Sequence, residues 1–452
     1  MSGILTAFIG RVSAATDAFF NLVTLLLPGN GTNGAQNNTF LDSSTNNFTI
    51  TRNGNTTQGT FSPFSQTGWS NYFNGGGAYL ETAANSSLIP STTTTPFTVE
   101  AWVYNANVSS GGTVITQFWP GGGQTVPYTL AFGGTVGAMD NTGRVFFGSY
   151  NGSSWVGTST PSAVPLNAWV HLAGVYTGTT FNLYVNGVLA SSTTASAATG
   201  GSNVVYLGRR WDGNPSPWFT GYISNARIVI GTAVYTANFT PSITPLQPIT
   251  NTQLLTCQSN RFIDTNTQVA AKTLTPVSSP SVQPFGPFLP TIPYSAATVG
   301  GSGYFDGSGD FLSFATGTNL PGAGQFTYEF WVYTSNTALS TCFSYGGSGA
   351  NLRCFVSGGA IQLWNGATQL TAGNTSLIKY GGWNFVVIQR DGSNNLTSYV
   401  NGQRDYFTSR TDNFNAGQLF LGAENGANPL TGYLAGFKYT ASSAVYSGTT
   451  IT

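Results

Sequence analysis

The feature that most constrains the fold is an internal repeat. The eight residues FTVEAWVY at 97 to 104 return as FTYEFWVY at 326 to 333. Further pairs of segments surround the motif in the same order in both copies: FLDSS and FIDTN, FSPF and FGPF, YFNGGGAYL and YFDGSGDFL, and two instances of YVNG. The chain of 452 residues therefore contains two copies of one fold, as its length also favours.

Each copy has the pattern of short β-strands separated by turns. Asn186-Gly187 and Asn401-Gly402 lie between β-rich runs, where a type I′ hairpin turn needs positive φ at both central positions. Aromatic residues make up 14% of the chain, and glycine is abundant. These observations predict an all-β chain of two tandem β-sandwiches.

The first residues predict a different element. Ile4, Leu5, Phe8, Ile9 and Val12 recur at three- and four-residue steps, as in an amphipathic helix. Arg11 and Asp17 interrupt the apolar run, which argues against a signal peptide or a membrane span. The helix either packs on its own first domain or anchors the chain to a partner or a symmetric assembly.

The predicted domain limits follow the order of the chain. We predict that residues 1–22 form a helical anchor, residues 23–243 the first β-sandwich and residues 244–452 the second. The boundary between the sandwiches falls in FTPSITPLQPITN, whose prolines discourage a continuous central strand.

The order FTVEAWVY, NAWVHLAGVY, FNLYVNG, FTGYISNARI and AVY resembles the laminin G-like, concanavalin A-like lectin jelly roll, twice over. The style of LLTCQSNRFID and VQPFGPF further resembles tandem jelly-roll proteins of tailed bacteriophages, especially marine and cyanobacterial ones. The resemblance implies a jelly-roll fold of the lectin type and a structural role on a virion.

The repeated glutamates, Glu100 and Glu329, are candidates for catalysis because some enzymes with this sandwich hydrolyse glycans. Such enzymes need two carboxylates, but the neighbours on the same strand face are aromatic: Trp102 and Tyr104 follow Glu100. We therefore expect both glutamates to be structural, held by hydrogen bonds or an arginine. His171, the only histidine, is replaced by Phe385 in the second copy, which favours a packing role.

Little in the sequence supports a metal site or a disulfide bond. Asp306 and Asp310 could supply oxygens to calcium, but Asp-Gly is also hairpin chemistry, so we predict a turn and no cofactor. Cys257, Cys342 and Cys354 are predicted to be free and buried, although the last two could face each other across a hairpin.

An insertion in the first copy, RRWDGNPSPWF at 209 to 219, is the best candidate for ligand binding. Its tryptophans could stack on sugar rings, and its polar side chains could bind hydroxyl groups. The alternative is that the tryptophans form the private core of the loop or a protein interface. The predicted glycan-binding residues are Trp119, Arg210, Trp211, Asp212, Asn214 and Trp218.

Charge limits the partners. Charged residues are 6% of the chain and the net charge is zero, which argues against binding to nucleic acid. We predict a non-enzymatic virion protein, a capsid decoration, fibre or tail-associated adhesin, that is homo-oligomeric and attached to other virion proteins through its N-terminal helix. A carbohydrate-binding module that recognises host polysaccharide is the alternative, and a glycoside hydrolase is a third hypothesis.

Overall fold

The computed structural model describes residues 18–29, 40–59, 61, 63, 68–107, 112–117, 125–133, 142–209, 218–288, 300–314, 321–345, 352–371, 373–414 and 418–451. These residues contain thirty β-strands, two short 3₁₀ turns (Phe20–Leu22 and Ser86–Leu88) and no α-helix. The predicted all-β class is confirmed.

The strands fall into three stretches along the chain. Near the N-terminus are β1 (Val23–Leu27), β2 (Thr51–Asn53) and β3 (Thr57–Gly59). The middle stretch contains β4 (Ser70–Asn74), β5 (Tyr79–Thr82), β6 (Phe97–Asn105), β7 (Thr113–Gln117), β8 (Val126–Phe132), β9 (Val145–Tyr150), β10 (Trp155–Ser159), β11 (Trp169–Tyr176), β12 (Thr180–Val185), β13 (Val188–Thr194), β14 (Val205–Leu207), β15 (Thr220–Ile230), β16 (Thr252–Thr256), β17 (Leu274–Val277) and β18 (Ser281–Gln283). The last stretch contains β19 (Ser302–Asp306), β20 (Phe311–Phe314), β21 (Phe326–Thr334), β22 (Ser340–Tyr345), β23 (Arg353–Ser357), β24 (Ala360–Asn365), β25 (Thr368–Thr371), β26 (Trp383–Arg390), β27 (Asn395–Val400), β28 (Gln403–Ser409), β29 (Leu419–Leu421) and β30 (Thr431–Ala441).

The first jelly roll consists of the described residues between Thr67 and Pro290. Its eight-stranded sheet has the order β13-β12-β11-β6-β15-β4-β18, with β16 paired to β15, and its seven-stranded sheet has the order β10-β9-β8-β7-β14-β5-β17. All pairings are antiparallel, so the alternation of side chains along each strand gives each sheet an inner and an outer face.

The second jelly roll has the same two sheets, built from both ends of the chain. Its eight-stranded sheet has the order β28-β27-β26-β21-β30-β19-β3, with β1 paired to β30. Its seven-stranded sheet has the order β2-β20-β29-β22-β23-β24-β25. Every strand of this unit therefore has a counterpart in the first jelly roll.

The predicted domain limits are wrong at both boundaries. Strands β1, β2 and β3, assigned to the first jelly roll, pair with β30, β20 and β19 of the second. Strands β16, β17 and β18, assigned to the second, pair with β15, β5 and β4 of the first. The reason is that each sandwich has open edges, which these three-strand segments cover.

Residues 1–17 lie outside the described part of the chain, and so does most of the predicted N-terminal helix. The end of that segment, Phe20–Leu22, is a single 3₁₀ turn that leads directly into strand β1. Both predicted hairpin turns are confirmed, since Asn186 and Gly187 have φ of 48° and 79°, and Asn401 and Gly402 have φ of 53° and 88°.

Candidate functional site

Glu100 lies in the middle of β6, on the outer face of the eight-stranded sheet, and its side chain is fully buried. One carboxylate oxygen, Oε1, accepts a hydrogen bond from Arg227 Nε at 2.8 Å. The other, Oε2, accepts one from the Tyr235 hydroxyl at 2.8 Å and lies 3.1 Å from His171 Nε2. The segment after β15 supplies Tyr235, so this cluster fastens that segment to the sheet.

A β-bulge brings the arginine to the glutamate. The register between β15 and β6 shifts between Ser224 and Arg227, so that Ser224 is opposite Trp102 and Arg227 is opposite Glu100. Asn225 takes the extra position with φ of 52°. Without the additional residue, Arg227 would lie on the inner face of the sheet, because side chains alternate along a strand.

The second jelly roll repeats the cluster with other residues. Lys438 Nζ lies 2.9 Å from Glu329 Oε2, and the Tyr446 hydroxyl donates to Glu329 Oε1 at 2.5 Å. Phe385 packs against Trp331 with ring centroids 5.2 Å apart, as His171 packs against Trp102 at 5.3 Å. The carboxylate of Glu100 is thus held by an arginine and hydrogen bonds, and that of Glu329 by a lysine and a tyrosine. His171 contacts both the Trp102 ring and the Glu100 carboxylate, and its packing role stays a prediction.

Burial raises the pKa of Glu100, but the hydrogen bond and charge of His171, the charge of Arg227 and the hydrogen bond from Tyr235 together lower it below its usual range. The carboxylate is therefore ionised at neutral pH. Since its oxygens are occupied by basic and phenolic partners, Glu100 has the environment of a structural anion.

The remaining polar candidates have structural surroundings. Within the turn, Asp306 Oδ1 accepts a hydrogen bond from the Ser308 backbone at 2.7 Å, and buried Asp310 accepts one from the Asp306 backbone. Asp310 also accepts one from the backbone of Asn55, between β2 and β3. Among the described residues, no group of three or more His, Cys, Asp or Glu is placed to hold a metal ion. All three cysteines are free and buried, as predicted.

Of the six predicted glycan-binding residues, Trp218 is described and five lie outside the described residues: Trp119, Arg210, Trp211, Asp212 and Asn214. Trp218 is half-buried and stacks on Tyr79, with ring centroids 5.9 Å apart and planes at 19°. Glycan binding by all six residues stays a prediction.

Trp218 belongs to a surface that sequence reasoning missed, which we call the aromatic platform: Tyr79, Tyr206, Arg209 and Trp218. The Arg209 guanidinium lies 4.5 Å from the centre of the Tyr79 ring, 4.7 Å from that of Tyr206 and 5.8 Å from that of Trp218. Leu80 and Leu207 point into the core, so Tyr79 and Tyr206 lie on the outer face of the seven-stranded sheet.

The platform combines aromatic faces with groups that form hydrogen bonds. Burial raises the pKa of both tyrosines, as does Glu81, while Arg209 lowers it. The phenols are therefore protonated at neutral pH and can donate. A cation fixed over aromatic rings suits a neutral or anionic polar ligand with an apolar face.

The second jelly roll lacks this chemistry at the same place. The strand partners Tyr206 and Glu81 of the first jelly roll correspond to the strand partners Phe420 and Ser313 of the second, so β14 aligns with β29 and β5 with β20. The counterparts of Tyr79 and Tyr206 are Phe311 and Phe420, whose rings lie 5.7 Å apart without hydroxyl groups. Arg209 and Trp218 correspond to Ala423 and Pro429 in the repeat. The difference was visible in the sequence, because YLGRRW stands where the second copy has FLGAEN.

Two antiparallel sheets packed as a sandwich, twice in one chain, define a tandem jelly-roll protein of the laminin G type. The chain belongs to the concanavalin A-like lectin/glucanases superfamily, whose model matches residues 74–232 and 306–441, well over half of the sequence. The predicted laminin G-like family is thereby confirmed.

Further comparisons were made with curated proteins and with solved structures, and the solved structures resemble this chain in fold. No curated protein matches the chain. Domains LG4-5 of the mouse laminin alpha1 chain are 12% identical over 86% of this chain and 94% of theirs, with a TM-score of 0.30. The heptameric SAP-like pentraxin of Limulus polyphemus is 14% identical over 48% of this chain and 95% of its own (TM-score 0.35). The carbohydrate-binding module CBM66 of Bacillus subtilis is 14% identical over 34% and 92% (TM-score 0.23).

Proposed function

We propose that this chain is a non-enzymatic, carbohydrate-binding structural protein of a bacteriophage virion, and that the aromatic platform binds a glycan of the host surface. The observation that supports glycan binding is a difference in side chains between the two copies. Two strand positions hold phenylalanine in the second jelly roll. In the first jelly roll they hold tyrosine, with Arg209 and Trp218 beside the tyrosines.

The chemistry of the platform fits a sugar. The C–H face of a pyranose ring packs on an aromatic side chain, while its hydroxyl groups need donors and acceptors that fix the orientation. Trp218 and Tyr79 supply half-buried rings, and Arg209 supplies a guanidinium that lies over Tyr79 and over Tyr206, which is 5% exposed. The guanidinium also favours glycans that carry a carboxylate or phosphate.

The virion part of the proposal is supported by the composition and by the tandem arrangement. Charged residues are 6% of the chain, so the surface is polar chiefly through asparagine, threonine, serine and glycine. The resemblance of the repeat to tandem jelly-roll proteins of tailed phages indicates display on the particle, with the N-terminal residues as the attachment.

In the part of the chain that the structure describes, no helix has the length and hydropathy to cross a bilayer.

The non-enzymatic part is supported by the surroundings of the repeated glutamates. Glu100 is fully buried, and Glu329 is nearly so. Each is bound to a cation and a tyrosine, Arg227 and Tyr235 in one copy and Lys438 and Tyr446 in the other.

The test is a screen of the purified full-length chain on an array of neutral and acidic oligosaccharides, followed by calorimetric titration with the best oligosaccharide. Trp218→Ala is expected to weaken binding by about 1–3 kcal/mol, roughly 5- to 150-fold, because it removes an aromatic contact. Tyr79→Phe with Tyr206→Phe is expected to weaken binding without a cavity, because the second jelly roll already carries phenylalanine at both positions.

Phe407→Ala is the matched control, since Phe407 is 52% exposed and has Arg404 over its ring at 4.9 Å in the second jelly roll. Its binding is expected to equal that of the unmodified chain. The unmodified chain is also expected to release no reducing sugar from the bound oligosaccharide. Equal affinity of Trp218→Ala and Phe407→Ala would remove the platform as the binding site, and sugar release would overturn the non-enzymatic assignment.

A further inference from the structure

The repeated motifs place a row of aromatic rings on the eight-stranded sheet of each jelly roll. In the first jelly roll, the neighbouring strands β4, β15, β6 and β11 each contribute one ring at paired register positions. We call these four residues the first aromatic ladder: Tyr72, Tyr222, Tyr104 and Trp169. The equivalent strands β19, β30, β21 and β26 give the second aromatic ladder: Tyr304, Tyr433, Tyr333 and Trp383.

Both ladders lie on the outer faces of their sheets. In the first jelly roll, Phe73 and Val103, the chain neighbours of Tyr72 and Tyr104, are 0% and 1% exposed and point into the core, so the tyrosines point outward. Successive ring centroids are 4.9, 5.7 and 5.8 Å apart along the first ladder. Along the second ladder they are 4.9, 5.8 and 5.7 Å apart. Because neighbouring strands lie about 4.8 Å apart, each row is about 14 Å long.

The two ladders differ in exposure. All four residues of the first ladder are half-buried. In the second ladder, Tyr333 is 8% exposed and Trp383 is 0% exposed. One phenylalanine contacts three rings of each ladder, Phe285 at 4.9 to 5.3 Å in the first jelly roll and Phe61 at 4.8 to 5.2 Å in the second. The same rings at the same distances are therefore open to a ligand in the first jelly roll and partly closed in the second.

The first ladder also presents hydroxyl groups. In the part of the chain that the structure describes, the hydroxyls of Tyr72, Tyr104 and Tyr222 form no hydrogen bond with another residue. Burial raises the pKa of Tyr222, and the phenols of Tyr72 and Tyr104 raise it further, so this group is protonated at neutral pH and can donate. Packing alone would need only phenylalanine, which the chain has at Phe285. The three phenols therefore give the ladder a hydrogen-bonding capacity that the fold does not use.

The strand positions beside the first ladder are uncharged. Asn74 and Thr220, two positions from the tyrosines on β4 and β15, are strand partners, and Ser281 is the partner of Tyr72 on β18. In the second jelly roll, Asp306 stands at the position of Asn74. A charged ligand on the first ladder would lose hydration without gaining a counter-ion. The ladder therefore favours a neutral ligand with apolar faces and hydroxyl groups.

We propose that the first aromatic ladder is a second glycan-binding surface, which takes a neutral polysaccharide whose sugar rings lie along the row. The C–H face of a sugar ring packs on the aromatic rings, while its hydroxyls exchange hydrogen bonds with the three phenols. The inference extends the proposed carbohydrate binding to a site that does not depend on the aromatic platform. The platform lies on the seven-stranded sheet and has a guanidinium for acidic ligands, whereas the ladder lies on the eight-stranded sheet of the same jelly roll.

Affinity electrophoresis of the full-length chain tests the ladder. Native gels run at alkaline pH contain one of three soluble neutral polysaccharides, hydroxyethyl cellulose, dextran or starch, and migration is compared with that in a gel without polysaccharide. At least one polysaccharide is expected to retard the unmodified chain and Trp218→Ala equally, because Trp218 belongs to the platform. The triple variant Tyr72→Phe/Tyr104→Phe/Tyr222→Phe is expected to bind about 10- to 100-fold more weakly, because it loses three hydrogen-bonding groups and no ring.

A second variant tests the rings themselves. Tyr72→Ala removes the ring at the β4 end of the ladder and is expected to weaken binding about 10-fold. The matched control is Tyr304→Phe/Tyr433→Phe in the second ladder, which is expected to bind as the unmodified chain does. Thermal unfolding of every variant at the temperature of the unmodified chain shows that the fold is intact.

The proposal is overturned if none of the three polysaccharides retards the unmodified chain, or if the triple variant is retarded as strongly as its control. Retardation that is lost in Trp218→Ala and kept in the triple variant would assign the neutral polysaccharide to the platform, which also overturns the ladder. Self-association that is lost in the triple variant, without retardation by any polysaccharide, would make the ladder a protein interface instead. None of these results removes the platform as a site for acidic oligosaccharides, which the array and Trp218→Ala test separately.

Discussion

At the residue scale, Glu100 has no exposed surface and yet is ionised, because Arg227, His171 and Tyr235 surround its carboxylate. A buried ion of this kind is tolerated only when its oxygens are satisfied. Thr98, two residues earlier on β6, fixes the same overlying segment by accepting from Val234 and donating to Thr232. The repeated Thr-x-Glu pattern therefore marks a contact between a strand and the segment that covers it.

Replacement of the Glu100 carboxylate is expected to destabilise the first jelly roll. Glu100→Gln is expected to lower the free energy of unfolding of the first jelly roll by about 3–5 kcal/mol, because Arg227 is left buried without a counter-ion. Hydrogen exchange measured by mass spectrometry should show the loss first in residues 231–249, which the cluster fastens to the sheet.

The pH dependence follows from the direction of the pKa. The pKa of Glu100 is lower in the folded chain than in the unfolded one, so its stabilisation is complete above the unfolded value of about 4.3 and is lost as the pH falls. Urea unfolding at neutral pH and at acidic pH should therefore show a smaller acid loss in Glu100→Gln than in the unmodified chain. Equal losses in the two proteins would contradict the assigned role.

At the scale of the element, the bulge in β15 decides which residues reach the outer face. Asn225 takes the left-handed conformation, and its side-chain oxygen accepts a hydrogen bond from the Leu246 backbone at 2.8 Å. Gly436, with φ of 57°, holds the corresponding position in β30. An asparagine and a glycine are the residue types that adopt this conformation most readily.

Substitutions at Asn225 should distinguish the stability that its left-handed backbone conformation contributes from the stability that its hydrogen bond to Leu246 contributes. Asn225→Gly keeps the conformation and is expected to cost about 1 kcal/mol for the lost bond to Leu246. Asn225→Val also imposes left-handed strain on a β-branched residue, which adds about 1–3 kcal/mol. Chemical unfolding of both variants is the measurement, and equal stabilities would mean that the bulge does not hold its register through residue 225.

At the scale of the whole molecule, the first jelly roll is one continuous stretch of chain, Thr67–Pro290, whereas the second is built from both ends of the chain. Strands β16 to β18 complete the sheets of the first jelly roll, and strands β1 to β3 complete those of the second. The repeats are therefore coupled through the order of the chain, even though each sandwich has its own core.

The N-terminal residues give a prediction at this scale. Deletion of residues 2–17 leaves β1 and every described strand in place, so both jelly rolls and their glycan binding are expected to be unchanged. Incorporation of the shortened chain into particles is expected to fall, because the deletion removes the apolar residues Ile4, Leu5 and Phe8 of the proposed attachment. Normal incorporation, measured by protein gels of purified particles, would contradict attachment through this segment.

The sequence by itself determined the class of fold, the duplication, both hairpin turns and the glutamates that are held by a cation and hydrogen bonds. These features rest on local chemistry: alternation along strands, positive φ at Asn-Gly and the repeat of the FTVEAWVY motif. The candidate stretch at 209 to 219, which includes Arg209 and Trp218, was recognised from its composition, whereas Tyr79 and Tyr206 were missed because they are outwardly ordinary strand residues.

Only the tertiary structure decided which segment completes which sandwich. The pairing of β1 with β30 joins residues some four hundred positions apart. No local pattern encodes this pairing, because the segments 23–61 and 252–288 have similar sequences and the other strands of the two jelly rolls offer the same edges. The bulges that turn Arg227 and Lys438 outward are likewise set by pairing with β6 and β21. The physical reason is that strand register and edge closure depend on contacts between distant residues, whereas strand, turn and motif depend on neighbours.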